Sequence, residues 1–307
     1  MLAAFEEESG LRVEILPLGD AGSLVNQAIL SRANPLGDVL FGVDNTFLGR
    51  ALENDLFEPY TSPALEAVPE ELRLDPENRV APIAFGDVCV NYDLEYLAEN
   101  DLPAPDSLEA LTDEVYRGLL VVQNPAASSP GLAFLMATVA AFGEEGDYTY
   151  LDYWADLRDN EVLVVDGWES AYYTEFTRYG GAYPLVISYA SSPPAEIIFA
   201  EAPLDEAPTA ALVAGGTCFR QIEFAGVLAN AQNPEGAQQL IDFMLSEPFQ
   251  TDLPLQMFVF PVLSEVELPE VFVEYAQVAE SPATLPFEEI NDQREEWIEA
   301  WTDVVLR

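Results

Sequence analysis

Strand-length apolar runs alternate with helix-length amphipathic segments along most of this chain, and that alternation constrains the fold more than any other feature. Residues 38–43 (Asp-Val-Leu-Phe-Gly-Val) read as a buried strand leading to Asp44. A helix over 23–32 precedes it, with Leu24, Ala28 and Ile29 on one face. Further strands are predicted at 85–92, 119–122, 162–165, 184–189 and 219–227, and helices at 131–142, 150–157 and 169–177, with a short one at 106–111. The best-marked helix start is Asn233 as cap with Pro234 at the first position, followed by Ala237, Leu240, Ile241 and Met244 at helical spacing. Such a rhythm predicts an α/β protein with a mostly parallel sheet flanked by helices. A terminal helix over 291–305 carries Trp297 and Trp301 one turn apart, a spacing that suits packing. Residues 58–82 and 196–216 read as surface connections.

At 307 residues, half of them hydrophobic, the chain can form two lobes with a core each. It has no apolar run long enough to span a bilayer. Its charge balance removes whole classes of function. There are 55 acidic residues against 11 basic ones, a net charge of −44, and every basic residue is an arginine. A surface of that sign repels nucleic acid and anionic lipid. With no histidine and no lysine, the chain has no Ser–His–Asp or Cys–His nucleophile, no histidine-bound zinc, no Schiff-base lysine and no phosphate-loop lysine. Carboxylate pairs are expected by chance among so many acids, so their presence alone does not argue for catalysis.

Two cysteines, Cys89 and Cys218, lie in strand-like contexts far apart in sequence. Composition leaves two readings open: two buried thiols, or one disulfide in an oxidising compartment. The first ten residues read as the last turns of a helix ending at Gly10, followed by a strand at 13–15. A chain that opens inside a helix predicts further residues ahead of Met1.

Four polar or aromatic loops follow predicted strands, at the carboxyl ends where open α/β sheets bind ligands. They are Asp44-Asn45, the stretch from Asn124 to Gly131 with Ser128 and Ser129, Asp166-Gly167-Trp168 ahead of Tyr172 and Tyr173, and Ser188-Tyr189 with the serines after it. The hydroxyls at the start of a helix near Ser128 suit an anion such as phosphate, or serve as an ordinary cap. A carboxylate accompanied by several aromatics suits a flat organic cation. Thiamine, a polyamine or a choline-like solute all satisfy that composition.

At these loops the sequence resembles the periplasmic thiamine-binding proteins of bacterial ABC transporters, over almost the whole chain. The resemblance rests on the motifs at 38–45, 124–132, 166–172, 188–193 and 257–261 and on the terminal Arg294-to-Trp301 run, all in one order. It implies a two-lobe, type II periplasmic-binding-protein fold with mixed sheets and helices. One lobe would hold 1–84 and 221–307 and the other 85–220, with hinge strands near 83–92 and 217–227. It further implies export, a first strand lying ahead of this sequence, and closure on the ligand like a flytrap. The implied ligand is thiamine or a thiamine phosphate, passed by a monomer to ABC permease and ATPase subunits, without cofactor, metal or catalysis.

The resemblance assigns Asp44, beside Asn45, to the ligand's cation, Ser128 and Ser129 to a phosphate-bearing end, and Trp168, Tyr189 and Phe258 to an aromatic wall, with Ser188 and Tyr172 close by. Phe258 replaces a tryptophan of better-known members, and Ala195 stands where they have a tyrosine; Tyr172 or Tyr173 is the compensating candidate. Because the cysteines fall near the implied hinge strands, the resemblance also implies a Cys89–Cys218 disulfide. The alternative ligands are another organic cation or Fe(III), the latter suggested by adjacent Tyr172 and Tyr173.

Overall fold

Nine strands form in the computed structural model, which describes residues 1–307: β1 (Val39–Asp44), β2 (Phe57–Glu58), β3 (Ala81–Asp93), β4 (Leu120–Gln123), β5 (Leu163–Val165), β6 (Leu185–Tyr189), β7 (Thr209–Ala211), β8 (Phe219–Leu228) and β9 (Phe260–Pro261). The chain divides into two units, one of Met1–Phe85 and Gln221–Glu270, the other of Gly86–Arg220 and Val271–Arg307. β3 and β8 both run from one unit into the other. No helix is long and apolar enough to cross a membrane.

In the first unit, β8 pairs antiparallel with β1 and with β2, and the first part of β3 pairs with β9. The helix Ala21–Ser31 buries Ala21, Leu24, Val25 and Ala28. The helix Pro234–Met244 begins as its sequence predicts: Asn233 accepts from the Gly236 N–H, and Ala237, Ile241 and Met244 are buried. The predicted strand at 13–15 does not form. Val13 donates its N–H to Glu6 Oε1 at 2.8 Å, and Ile15 and Leu16 stay exposed. Extended residues become a strand only where a neighbouring edge takes their hydrogen bonds, and local pattern does not reveal whether one is there.

In the second unit, β4 lies parallel to both β5 and β6, and β3 pairs antiparallel with β6 and β7. Antiparallel pairs outnumber parallel ones in the molecule, so the mostly parallel sheet expected from the strand–helix rhythm is corrected to a mixed one: periodicity locates strands but does not fix the sense in which they pair. The helix Ser129–Phe142 is buried along most of its length, consistent with its nearly uniform apolar sequence. The helix Tyr150–Asp159 opens with a reciprocal capping box between Thr149 and Asp152. Its Trp154 meets Phe134 and Trp301 edge-on, at 5.6 and 5.4 Å between ring centres. Trp297 and Trp301 are fully buried, so both are packing residues. Cys89 and Cys218 form a disulfide that ties β3 to the residue just before β8.

Several boundaries differ from the sequence expectation, and the short helix expected at 106–111 is a 3-10 turn over Glu109–Thr112. The last 37 residues, Val271–Arg307, belong with the second unit instead of sharing a lobe with 221–270. The reason is local: Trp301 packs on Trp154, the Ala279 N–H donates to Asp87 at 2.7 Å, and the Ala283 N–H donates to the Cys218 carbonyl. The expected loop at 196–216 contains β7, whose short run Thr-Ala-Ala is too brief to show a period, and its first residues finish the helix Pro193–Ile198. The helix expected over 169–177 is one turn of α-helix, Trp168–Ser170, followed by a π-turn over Ala171–Glu175 that ends at extended Phe176.

Candidate ligand-binding site

Two clusters hold most of the residues singled out from sequence, one in each unit. In the first unit, β1 carries a bulge between Phe41 and Val43, where Gly42 takes a φ of +97° that a side chain rarely allows. Past the bulge, Asp44 sits opposite Glu223 of β8. Asp44 is fully buried. Its Oδ1 accepts from the Thr46 N–H at 2.8 Å and the Thr46 hydroxyl at 2.5 Å, and its Oδ2 accepts from Gln221 Nε2 at 3.4 Å. Asn45 fixes the loop against β8: its N–H donates to the Ile222 carbonyl, and its side-chain oxygen accepts from the Ile222 N–H at 3.0 Å. Asn45 is thus a scaffold for Asp44.

Glu223 was not visible as a candidate in the sequence. Its residue is partly exposed, but Oε2 is cut off from solvent and has no hydrogen-bond partner. Burial, and then the charge of Asp44, push its carboxyl up from the usual 4.5 to about 7. The one available signal was the pair Gln221 and Glu223, two polar residues on alternate positions of a strand that is apolar beyond Arg220, which therefore share a face. Phe258 caps the helix Glu247–Met257 in the left-handed region, two residues ahead of β9. Phe260, the first residue of β9, stacks on Phe85 of β3 at 5.4 Å.

The second cluster follows from strand direction. Because β4, β5 and β6 are parallel, the loops after Gln123, Val165 and Tyr189 leave the sheet at the same end. The Asn124 N–H donates to the Val165 carbonyl at 2.8 Å and holds two of those loops together. Ser128 caps the helix Ser129–Phe142 and accepts from the Gly131 N–H; both serines are buried. Gly131 is required here, since a Cβ would lie 2.6 Å from the Gln123 carbonyl oxygen. That close approach seats the helix start directly over the end of β4.

Trp168 Nε1 donates to Ser188 Oγ at 2.9 Å, and Ser188 Oγ lies 2.8 Å from Ser192 Oγ. Tyr189 is half-buried and packs over Gly86, where a Cβ would stand 2.9 Å from its ring. Tyr172 stacks on Trp168 at 5.0 Å between ring centres and is itself buried. Its hydroxyl donates to Glu196 Oε1 at 2.7 Å, and the Tyr179 hydroxyl reaches the same oxygen at 3.0 Å. Burial, then the neighbouring Glu196, raise the Tyr172 hydroxyl well above its ordinary value. Tyr173 is half-exposed and lies edge-on to Tyr172. Trp168, Ser188 and Ser192 are therefore one hydrogen-bonded set, and Tyr172 supports it from behind.

A cavity of about 360 Å³ lies in the first unit among apolar residues such as Phe5, Leu24, Leu40 and Met244, and Asp44 does not line it. No cluster of three or more Cys, Asp or Glu side chains is arranged to hold a metal ion.

Residues 34–280 match the family of bacterial extracellular solute-binding proteins, and the chain belongs to that family. It is 30% identical to the thiamine-binding periplasmic protein of Escherichia coli (strain K12), an alignment covering 99% of this chain and 87% of that protein. It is 25% identical to iron uptake protein A1 of Synechocystis sp. (strain ATCC 27184 / PCC 6803 / Kazusa), covering 93% and 78%. A solved structure of a periplasmic thiamin binding protein superposes with a TM-score of 0.86 at 27% identity, over 99% of this chain and 90% of that one.

Proposed function

We propose that this chain captures thiamine or a thiamine phosphate outside the cytoplasm and delivers it, as a monomer, to the permease and ATPase subunits of an ABC importer, without catalysing a reaction. The observation that carries the reading is the buried Asp44 carboxylate opposite a second carboxylate, in a chain aligned over nearly its full length with a thiamine-binding protein. A quaternary thiazolium is a permanent cation, and Asp44 meets it with a buried carboxylate. Trp168 and Tyr189 offer faces for stacking and cation–π contact. The N-terminus of Ser129–Phe142, with the Ser128 and Ser129 hydroxyls, suits a phosphate. Ser188 orients Trp168, and Phe258 contributes a further aromatic face. β3 and β8 are the strands along which the chain bends as ligand is taken up, with the Cys89–Cys218 disulfide fixing their spacing in the second unit.

Iron is disfavoured by chemistry. Fe(III) needs tyrosinate oxygens that converge, whereas Tyr172 and Tyr179 both spend their hydroxyls on Glu196, and burial beside that carboxylate holds both phenols protonated. Calorimetric titration with thiamine, thiamine monophosphate, thiamine diphosphate, spermidine and ferric citrate tests the proposal. Tight binding of a thiamine form and none of ferric citrate is expected. Iron uptake with a visible tyrosinate charge-transfer band, and no thiamine heat, would overturn it.

A further inference from the structure

Asp44 and Glu223 stand directly opposite each other on antiparallel strands, the position at which like charges repel most. The arrangement is costly twice over, because Glu223 Oε2 is also buried without a hydrogen-bond donor. A purely structural pair would be relieved by a donor, as Glu196 is by two tyrosine hydroxyls. Here Gln221 donates to Asp44, and Thr46 donates twice to the same residue. On its own strand Glu223 is flanked by Ile222 and Phe224, with Gln221 and Ala225 on its face, none of them titratable. From β1 the titratable group that faces it is Asp44, and the loop after β1 brings neutral Asn45 and Thr46; on β3, the other neighbour of β8 in the sheet, the charged residues are Asp87, ion-paired with Arg220 of β8, and Asp93, beside Arg178.

We propose that Glu223 is a second carboxylate of the cation seat, protonated while the seat is empty and ionised when a cationic ligand arrives, so that each ligand taken up releases a proton. The inference rests on the cation reading of Asp44 and deepens it. The neutral acid is the low-energy form of a carboxyl that is buried beside a carboxylate, and burial together with Asp44 holds it at about 7. An incoming cation reverses that preference: the O–H bond of Glu223 breaks, the proton leaves to solvent, and the new carboxylate attracts the ligand. Proton and ligand thus compete for one oxygen pair. Affinity rises with pH up to the value at which the empty seat loses its proton, and levels off above it.

Titration calorimetry with thiamine, run in buffers of low and high ionisation heat, counts the protons. With Glu223 at about 7 in the empty protein, release of about three-quarters of a proton per thiamine is expected near pH 6.5, with binding about fourfold weaker there than near pH 8.5. Glu223→Gln should bind thiamine with the same affinity at both pH values and the same heat in both buffers. The wild-type buffer comparison needs no variant, so it stands even where Glu223→Gln fails to fold. Wild-type binding without proton release, or unchanged release in Glu223→Gln, overturns the proposal. If thiamine gives no heat but spermidine binds with proton release, the thiamine reading fails and the proton linkage holds. If neither cation binds near pH 8.5, both fail.

Discussion

Two glutamates, one in each unit, put a carboxyl group out of reach of solvent under opposite conditions. Glu196 accepts hydrogen bonds from Tyr172 and Tyr179 on one oxygen and anchors the aromatic layer behind Trp168. Glu223 faces another carboxylate and keeps one oxygen with no donor. A buried polar group that is satisfied contributes to the fold, whereas one left unsatisfied costs stability and persists where a ligand completes it. By this measure the tyrosine-rich cluster is largely architecture behind one tryptophan, and the acidic pair is the part of the molecule held in readiness.

The largest expected effect falls on the acidic side. Asp44→Asn removes the charge but keeps a side chain of the same shape, with an oxygen that still accepts from Thr46. Thiamine affinity should fall about 100-fold or more, the range found when one partner of a buried charge pair is lost. Calorimetry reads it, and an affinity within a few-fold of wild type would detach Asp44 from the cation.

Next comes a test of the opposite member. Glu196→Ala strips the acceptor from two buried or half-buried hydroxyls, and should destabilise the protein by about 2–3 kcal/mol in urea unfolding. Thiamine affinity should follow only as far as Trp168 loses its support. A stability near wild type would mean that the Glu196 contacts are not architecture after all.

Glu223→Gln should move stability the other way. The folded protein holds this carboxyl at about 7 against an ordinary 4.5, so the folded state binds the extra proton between those values. Stability from this group is therefore fully present below 4.5 and is lost as pH rises through about 7. Removing the charge should stabilise the empty protein near pH 8 by roughly 2 kcal/mol, and should flatten the slope between about pH 5 and pH 7. Urea midpoints across that range check it; a destabilised variant at the high end would show that Glu223 belongs with Glu196.

The sequence reveals these two clusters unequally, for physical reasons. Asp44 was legible because a run of apolar strand residues ends on it, and the parallel strands β4, β5 and β6 were legible as apolar runs followed by polar loops. Glu223 was hidden because its meaning lies in register: its partner is 179 positions away, and the Gly42 bulge shifts the pairing between Phe41 and Val43. Tyr172 read as a ligand contact because the resemblance leaves an aromatic position empty at Ala195 and Tyr172 is a nearby candidate to fill it. The π-turn that follows sets its direction, and turns of that kind leave no period in the sequence. The placement of Val271–Arg307 was likewise decided by long-range contacts to Trp154, Asp87 and Cys218, and its helix periodicity says nothing about which core it joins.

The smallest effect separates capping from recognition at Ser128. Its hydroxyl caps Ser129–Phe142 by accepting from the Gly131 N–H at 3.5 Å, a long bond, so Ser128→Ala should cost no more than about 1 kcal/mol of stability. That loss weakens every ligand alike, if it weakens any. A phosphate at the same helix end would draw a charge-assisted bond from the hydroxyl, and the alanine variant would lose that bond for phosphorylated ligands alone. The informative quantity is therefore the ratio of Kd for thiamine monophosphate to Kd for thiamine, which should rise about tenfold in Ser128→Ala. An unchanged ratio would leave Ser128 beside Glu196 as part of the scaffold, and the acidic pair as the main determinant of what the protein takes up.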